Sequence, residues 1–235
     1  FYTQDEIREV VEYAARRHVT IIPEIEFPAH AMIILTAYPE ISTTGKVPKV
    51  RSNISPDLIG VKPASITFLK NLLDETMTLF PGKWIHFGGD EAPKGQWQED
   101  PYTQKRIDEL GLRVKGSNNP HASEDALQAW LFNELAAHIA KQNRIPVGWE
   151  EIMHGDNINH LAKGSVVMPW LSGANAVKSA NAGFGVVHTS SQLFYLDSRQ
   201  STDPREPATL IQRVSSPEEL QRFNLFPEGL TPEGR

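Results

Sequence analysis

Segments with helical hydrophobic periodicity alternate with short β-branched runs five times along this chain, and no other feature constrains its fold as tightly. From Thr3 to Arg17, Ile7, Val10, Val11 and Ala14 recur on one face, behind a Thr3/Glu6 pair at capping-box spacing. Val19-Thr20-Ile21-Ile22 follows, a run suited to a strand buried on both faces. Ser65 to Phe80 places Ile66, Leu69, Leu72, Leu73 and Met77 at helical spacing before Pro81-Gly82 and the short strand Trp84-Ile85-His86-Phe87. A third helix, Glu124 to Gln142, presents Leu127, Trp130, Leu131, Leu135 and Ile139 and leads into Ile145-Pro146-Val147-Gly148-Trp149. Two more strands are predicted at Val166-Val167-Met168 and Gly185-Val186-Val187-His188, with a short Ala-rich helix between them.

This alternation predicts an α/β fold with a parallel sheet, either a (β/α)8 TIM barrel or a doubly wound sheet. Glu24, Glu26, His30, His86, Asp90, Glu91, Trp149, Glu150, Glu151, Trp170, Tyr195 and Asp197 all fall at or just after the carboxyl ends of the proposed strands. In a barrel that is the active-site face. A nucleotide-binding sheet would instead carry a glycine-rich turn after its first strand, and neither G-x-G-x-x-G nor a P-loop occurs. The tail from Ser198 to Arg235 is rich in Pro, Glu, Arg and Ser and shows no convincing strand, so about five of a barrel's eight strands are accounted for.

Composition narrows the function. With 235 residues, 40% of them hydrophobic, the chain can bury a core, and its net charge of −6 offers no basic surface for nucleic acid. The absence of cysteine excludes thiolate zinc sites and cysteine nucleophiles and leaves a secreted, periplasmic or lysosomal-type compartment undecided. No apolar run approaches the ~20 residues of a membrane span, so no membrane partner is expected. Phe1 opens directly into a helical pattern with neither initiator Met nor signal peptide, so the start reads as internal to a longer chain.

The most informative segment is His86-Phe87-Gly88-Gly89-Asp90-Glu91. Two glycines before a carboxylate pair permit a tight bend that presents both acids at a strand's end, although neighbouring strand side chains normally diverge. Alone, such a tetrapeptide also suits a strand-ending turn with solvated acids.

With its flanks the segment resembles the H-[IF]-G-G-D-E signature of family-20 glycoside hydrolases, the β-N-acetylhexosaminidases. Ile22-Pro23-Glu24-Ile25-Glu26-Phe27-Pro28-Ala29-His30 resembles the family's third-strand motif P-E-[IF]-D-x-P-G-H, with Glu26 where Asp and Ala29 where Gly is usual. Pro146-Val147-Gly148-Trp149-Glu150-Glu151-Ile152 is similar to its G-W-[DQ]-E-[IV] strand, and Phe194-Tyr195-Leu196-Asp197 to its L-Y-L-D segment.

The resemblance implies a retaining double displacement whose nucleophile is the substrate's own acetamido oxygen. It implies Glu91 as general acid and then base, and Asp90 as the group that orients the acetamido N–H. For substrate binding it implies Tyr195 donating to the acetamido oxygen, Asp197 on sugar hydroxyls, Trp149 and more weakly Trp130 as aromatic walls, and His30 beside the catalytic acid. Trp130 suits a helix core equally well. Glu24 and His86 read as supporting hydrogen-bonding groups, and Trp84 and Trp97 as packing or outer-subsite residues. The resemblance further implies that the 235 residues are one partial catalytic TIM-barrel domain, roughly strands three to seven, whose partner is the rest of its own domain. A sugar-binding arginine and an acid from the first two strands, and a tryptophan from the last, fall outside it.

His30, His86, Asp90 and Glu91 contain metal-ligand types, but H-E-x-x-H is absent, and neither metal nor cofactor is expected. Two competing readings stay open: a catalytically silent N-acetyl-sugar-binding barrel fragment, and a glycosidase of another barrel family using Glu150 or Glu151 as nucleophile.

Overall fold

A computed structural model describes residues 1–49, 55–207, 209 and 211–235. They form two compact units, Phe1–Ser165 and Val166–Arg235.

The first unit runs α1 (Gln4–Ala15), α2 (Met32–Ala37), α3 (Pro63–Leu79), β1 (Trp84–His86), α4 (Gly95–Glu99), α5 (Pro101–Glu109), α6 (Ala122–Ala140) and β2 (Ile145–Trp149), followed by 3-10 turns at Glu150–Met153 and Gly155–Asn159. The capping box of α1 forms as its spacing predicts: Glu6 N–H donates to Thr3 Oγ1 at 3.2 Å and Thr3 N–H to Glu6 Oε2 at 2.6 Å. Strands β1 and β2 pair in parallel, with Trp84 opposite Ile145 and His86 opposite Val147. On the other side of β1, residues 23–27 run parallel to it, with Ile25 N–H donating to His86 O at 3.0 Å and His86 N–H to Pro23 O at 3.0 Å.

That pairing corrects the first strand. The ladder lies at 23–27 instead of 19–22, and Val19 and Ile22 are 55% and 46% exposed instead of buried on both faces. The physical reason is one-sided pairing: among the described residues no strand lies on the far side of this segment. Helices α4 and α5 were not expected, although α5 carries a legible start, with Asp100 capping Thr103 N–H at 2.9 Å and Pro101 in the first turn.

The core beneath the strand ends is a chain of rings, Phe27 against Phe87 at 5.4 Å and Phe87 against Phe132 at 5.3 Å. Helix α6 adds Leu127, Leu131, Leu135 and Ile139, all fully buried. Each such side chain contributes about 1.5–3 kcal/mol through burial. The bend after β1 is therefore anchored to the best-packed part of the unit.

In the second unit, β3 (Val166–Met168) and β4 (Gly185–Val186) pair in parallel around α7 (Gly173–Asn181). Their contacts continue past the strand ends, through Thr189 N–H to Pro169 O at 3.0 Å and Ser191 N–H to Trp170 O at 2.8 Å. The tail departs from expectation, because β5 (Ser198–Arg199) pairs in parallel with β6 (Ile211–Val214), and α8 (Pro217–Gln221) follows with a Ser216/Glu219 capping box. These strands are too short to carry a period of their own, and their pairing alone defines them. No described helix is long and apolar enough to cross a membrane.

Candidate active site

The backbone ladder carries β1 straight into the bend. Phe87 N–H donates to Val147 O at 2.9 Å and Trp149 N–H to Gly88 O at 2.9 Å, so Gly88 is held at the strand end. Gly88 and Gly89 then take φ of +65° and +103°, conformations that side chains disfavour. At Gly88 a Cβ would run into the Glu26 carboxylate, so the absent side chain is also what lets that acid pack here.

This bend brings Asp90 and Glu91 to one side. His30 Nε2 lies 3.3 Å from Asp90 Oδ2 and 3.2 Å from Glu91 Oε2, so neighbouring residues converge on a single imidazole nitrogen. Four described non-glycine residues have positive φ; His18 and Asn143 follow helix ends, while the other two are His30 and Glu91. Left-handed backbone at such residues costs about 1–3 kcal/mol and persists where surrounding structure enforces it, often at functional sites.

The acids behind the pair form a graded set. Burial, with help from Glu24 and Asp90, pushes the Glu26 carboxyl up to about 10, so it is protonated at neutral pH. Burial also raises the Asp90 carboxyl, and the His30 charge works against that rise. Glu24 accepts from Trp149 Nε1 at 2.7 Å, which fixes the indole. His86 Nδ1 accepts the Gly88 N–H at 2.9 Å and also stands 3.3 Å from Glu24 Oε1. An imidazole nitrogen that accepts an N–H carries no proton, so the first contact is the hydrogen bond. Burial pushes His86 below its ordinary value, in agreement. The rings of His86 and Trp149 meet edge to face at 5.0 Å.

Other candidates fall elsewhere. Trp130 does not join the cluster: Arg106 lies over its ring at 5.4 Å, and it lines surface hollows with Val61, Pro63, Leu112 and His160. On α6 it is Gln128 that reaches the bend, and two positions on a helix point about 200° apart. Trp97 is fully buried and donates to Ile59 O at 3.1 Å, a packing residue. Glu150 and Glu151 are buried in the turn after β2, where Glu151 accepts the Glu91 N–H at 3.5 Å. Tyr195 and Asp197 belong to the second unit, where the Tyr195 ring lies parallel to Trp170 at 6.3 Å. Asp197 is exposed and lines a cleft with Ser198, Asp203 and Arg205.

Residues absent from the predicted site set now stand out. Trp170 was legible only as a strand-end aromatic, and its stacking on Tyr195 gives it a place. Glu26 was legible only as a strand-end acid and a motif departure. The donor atoms of His30, Asp90 and Glu91 lie within 4.8 Å of one another, a spacing that also suits a cation. The same spacing suits proton exchange between a carboxylic acid, a carboxylate and an imidazole without one.

Residues 1–233 match the glycosyl hydrolase family 20 catalytic domain. A β-hexosaminidase of Porphyromonas gingivalis is 32% identical over 98% of this chain and 28% of its own length. One from Vibrio furnissii is 35% identical over 95% of this chain and 35% of its own. The crystal structure of an exo-β-N-acetylglucosaminidase from Vibrio harveyi in complex with N-acetylglucosamine is 31% identical, with a TM-score of 0.79 over 95% of this chain and 34% of that one. The chain thus spans about a third of these relatives, with the parallel α/β fold of their (β/α)8 barrels. By its bend, its strand order and these likenesses, the chain belongs to glycosyl hydrolase family 20.

Proposed function

We propose that this chain carries the acid–base centre of a retaining β-N-acetylhexosaminidase that removes terminal β-linked N-acetylhexosamine from glycans or chitooligosaccharides. The observation that carries the reading is the convergence of Asp90 and Glu91 on His30. A carboxylate nucleophile would need an acid on the opposite side of the anomeric carbon, with the two carboxyls about 5 Å apart across the substrate. Adjacent acids on one bend suit a different division of labour, in which the sugar supplies its own nucleophile.

In the first step the acetamido carbonyl oxygen attacks C1, the bond from C1 to the leaving oxygen breaks, and Glu91 gives its proton to that oxygen. Asp90 accepts the acetamido N–H and stabilises the positive charge of the oxazolinium intermediate. In the second step Glu91 takes a proton from water as the water oxygen bonds to C1 and the ring reopens with retention. Proton transfer of this kind contributes about 10²–10⁴-fold, and alignment of the internal nucleophile adds a proximity gain. Protonated Glu26 supports the arrangement by adding no further negative charge beside Glu24 and Asp90.

Trp149, held by Glu24, offers an indole face to the N-acetyl methyl. Tyr195 donates to the acetamido oxygen, Trp170 extends its aromatic surface, and Asp197 binds sugar hydroxyls. The N-acetylglucosamine bound by the Vibrio harveyi relative supports this substrate class. The 235 residues correspond to strands three to seven of the barrel, and the rest of the same domain supplies the remaining sugar contacts.

The test is nitrophenol release by the full-length protein. Hydrolysis of the nitrophenyl N-acetyl-β-glucosaminide with no comparable hydrolysis of the plain β-glucoside supports the reading, and equal rates on both overturn it. Tight binding of a thiazoline inhibitor without any turnover would favour the silent binding barrel.

A further inference from the structure

We infer that Lys94 and Gln128 are positioning residues for the Asp90–Glu91 pair, clamping the main chain on either side of it from within the core. The inference rests on the acid–base reading proposed above and adds to it the device that holds the bend.

The backbone from Gly89 to Ala92 has little in its own residues to hold its shape. Gly89 has no side chain, and Glu91 sits in a backbone region that its own side chain disfavours. Three buried polar groups meet this segment. Gln128 Nε2 donates to Gly89 O at 2.5 Å, Glu151 Oε1 accepts from Glu91 N–H at 3.5 Å, and Lys94 Nζ donates to Ala92 O at 3.1 Å. Lys94 also donates to Gln128 Oε1, so the two side chains form one unit, and Asp125 Oδ1 stands 3.6 Å from the ammonium. Asp125 and Gln128 are three apart on α6, on one face of the helix.

The placement is costly for mere packing. Lys94 is 6% exposed and Gln128 2%, and an ammonium at such depth loses its water. A purely structural element would be served by apolar side chains of similar volume. Here both polar groups spend donors on carbonyls of the bend, and Gln128 sits so that its acceptor is filled by Lys94 while its donor is left for Gly89. The carbonyls so held flank the two acids, and the direction of each acid follows from the peptides beside it.

The clamp is tested in the full-length protein with Gln128→Glu and Lys94→Met, measured on two N-acetyl-β-glucosaminides, the dinitrophenyl glycoside and chitobiose, alongside Tm. Gln128→Glu keeps the shape and still accepts from Lys94, but it loses the donor to Gly89. The expected result is a folded enzyme whose KM changes less than about threefold while kcat on chitobiose falls about 10–100-fold, the range for lost supporting partners. Loss on the dinitrophenyl glycoside is smaller, because that leaving group needs little protonation and so registers only the part owed to Asp90, whereas chitobiose registers the displacement of both acids. Lys94→Met shows the same split; should it fail to fold, Gln128→Glu decides alone. Unchanged kcat on both substrates, or equal loss on both in step with a lowered Tm, overturns the clamp. Glu91→Gln is run in parallel: if it is fully active on chitobiose, the acid–base reading itself has failed, whereas an inactive Glu91→Gln beside a fully active Gln128→Glu rejects the clamp alone.

Discussion

His30 and Glu91 meet through a 3.2 Å contact between imidazole Nε2 and carboxylate Oε2, and each holds left-handed backbone, at φ 50° and 49°. Two disfavoured conformations on separate segments are thus spent on one contact, which also takes in Asp90 at 3.3 Å. A solvated turn has no need of this arrangement.

The division of roles between the acids gives the first expectation. Glu91→Gln loses about 10²–10⁴-fold in kcat on substrates with poor leaving groups and far less on activated ones. Asp90→Asn impairs all substrates, because the internal nucleophile must be aligned whatever leaves. Steady-state rates across a leaving-group series check both, and a fully active Asp90→Asn contradicts the assignment.

The Glu26 carboxyl, pushed up to about 10, makes stability depend on pH. Above the ordinary value of 4.5 the unfolded chain releases a proton that the folded chain keeps. The contribution of this group is therefore full below that value and is lost as pH rises toward 10. Urea midpoints taken between about pH 5 and 9 should fall with pH more steeply in the native sequence than in Glu26→Gln, with a ceiling near 1.4 kcal/mol per pH unit less solvent screening. Parallel curves would count against a protonated Glu26.

Gly88→Ala meets two obstacles, a φ of +65° and the Glu26 carboxylate where the methyl must go. It should destabilise by more than about 1 kcal/mol and depress kcat, since Glu26 can yield only by moving among the acids. Thermal unfolding and kinetics check this together; a stable, fully active variant would show that the bend tolerates displacement.

Tyr195→Phe keeps the ring on Trp170 and removes only the hydroxyl. The proposed donor to the acetamido oxygen acts on a charge that develops during reaction, so kcat should fall about 10²–10³-fold with little change in KM. A raised KM at constant kcat would assign the tyrosine to binding alone.

Much of the fold was legible because its signals are local. The capping box at Thr3 and Glu6, the periodicity of α3 and α6, and the glycines before Asp90 each act within a few residues. The failures share a cause in pairing and packing. Val19-Thr20-Ile21-Ile22 has a buried strand's composition, but the pairing falls at 23–27 and on one side only, and β6 exists through β5. At the site, Asp90, Glu91 and His30 could be read from motifs. Gln128 could not, because it reaches the bend from 39 residues away and nothing in its own neighbourhood announces it; Glu151 stood in the motif around Trp149, but its contact with the Glu91 N–H, 60 residues away, did not follow from that motif. Trp130 erred the other way: its helix turns Gln128 to the bend and leaves the indole under Arg106.

In the proposed reaction the substrate's own amide attacks the anomeric carbon while Asp90 and Glu91 attend it. The most direct measurement is kcat/KM of the full-length protein on nitrophenyl glycosides whose acetamido methyl bears none, one, two or three fluorines. Each fluorine weakens the carbonyl oxygen as a nucleophile and barely changes its size. A steep, monotonic fall along the series is expected, exceeding about tenfold overall, or about 1.4 kcal/mol in barrier. A flat series would contradict it and return the nucleophile to the protein.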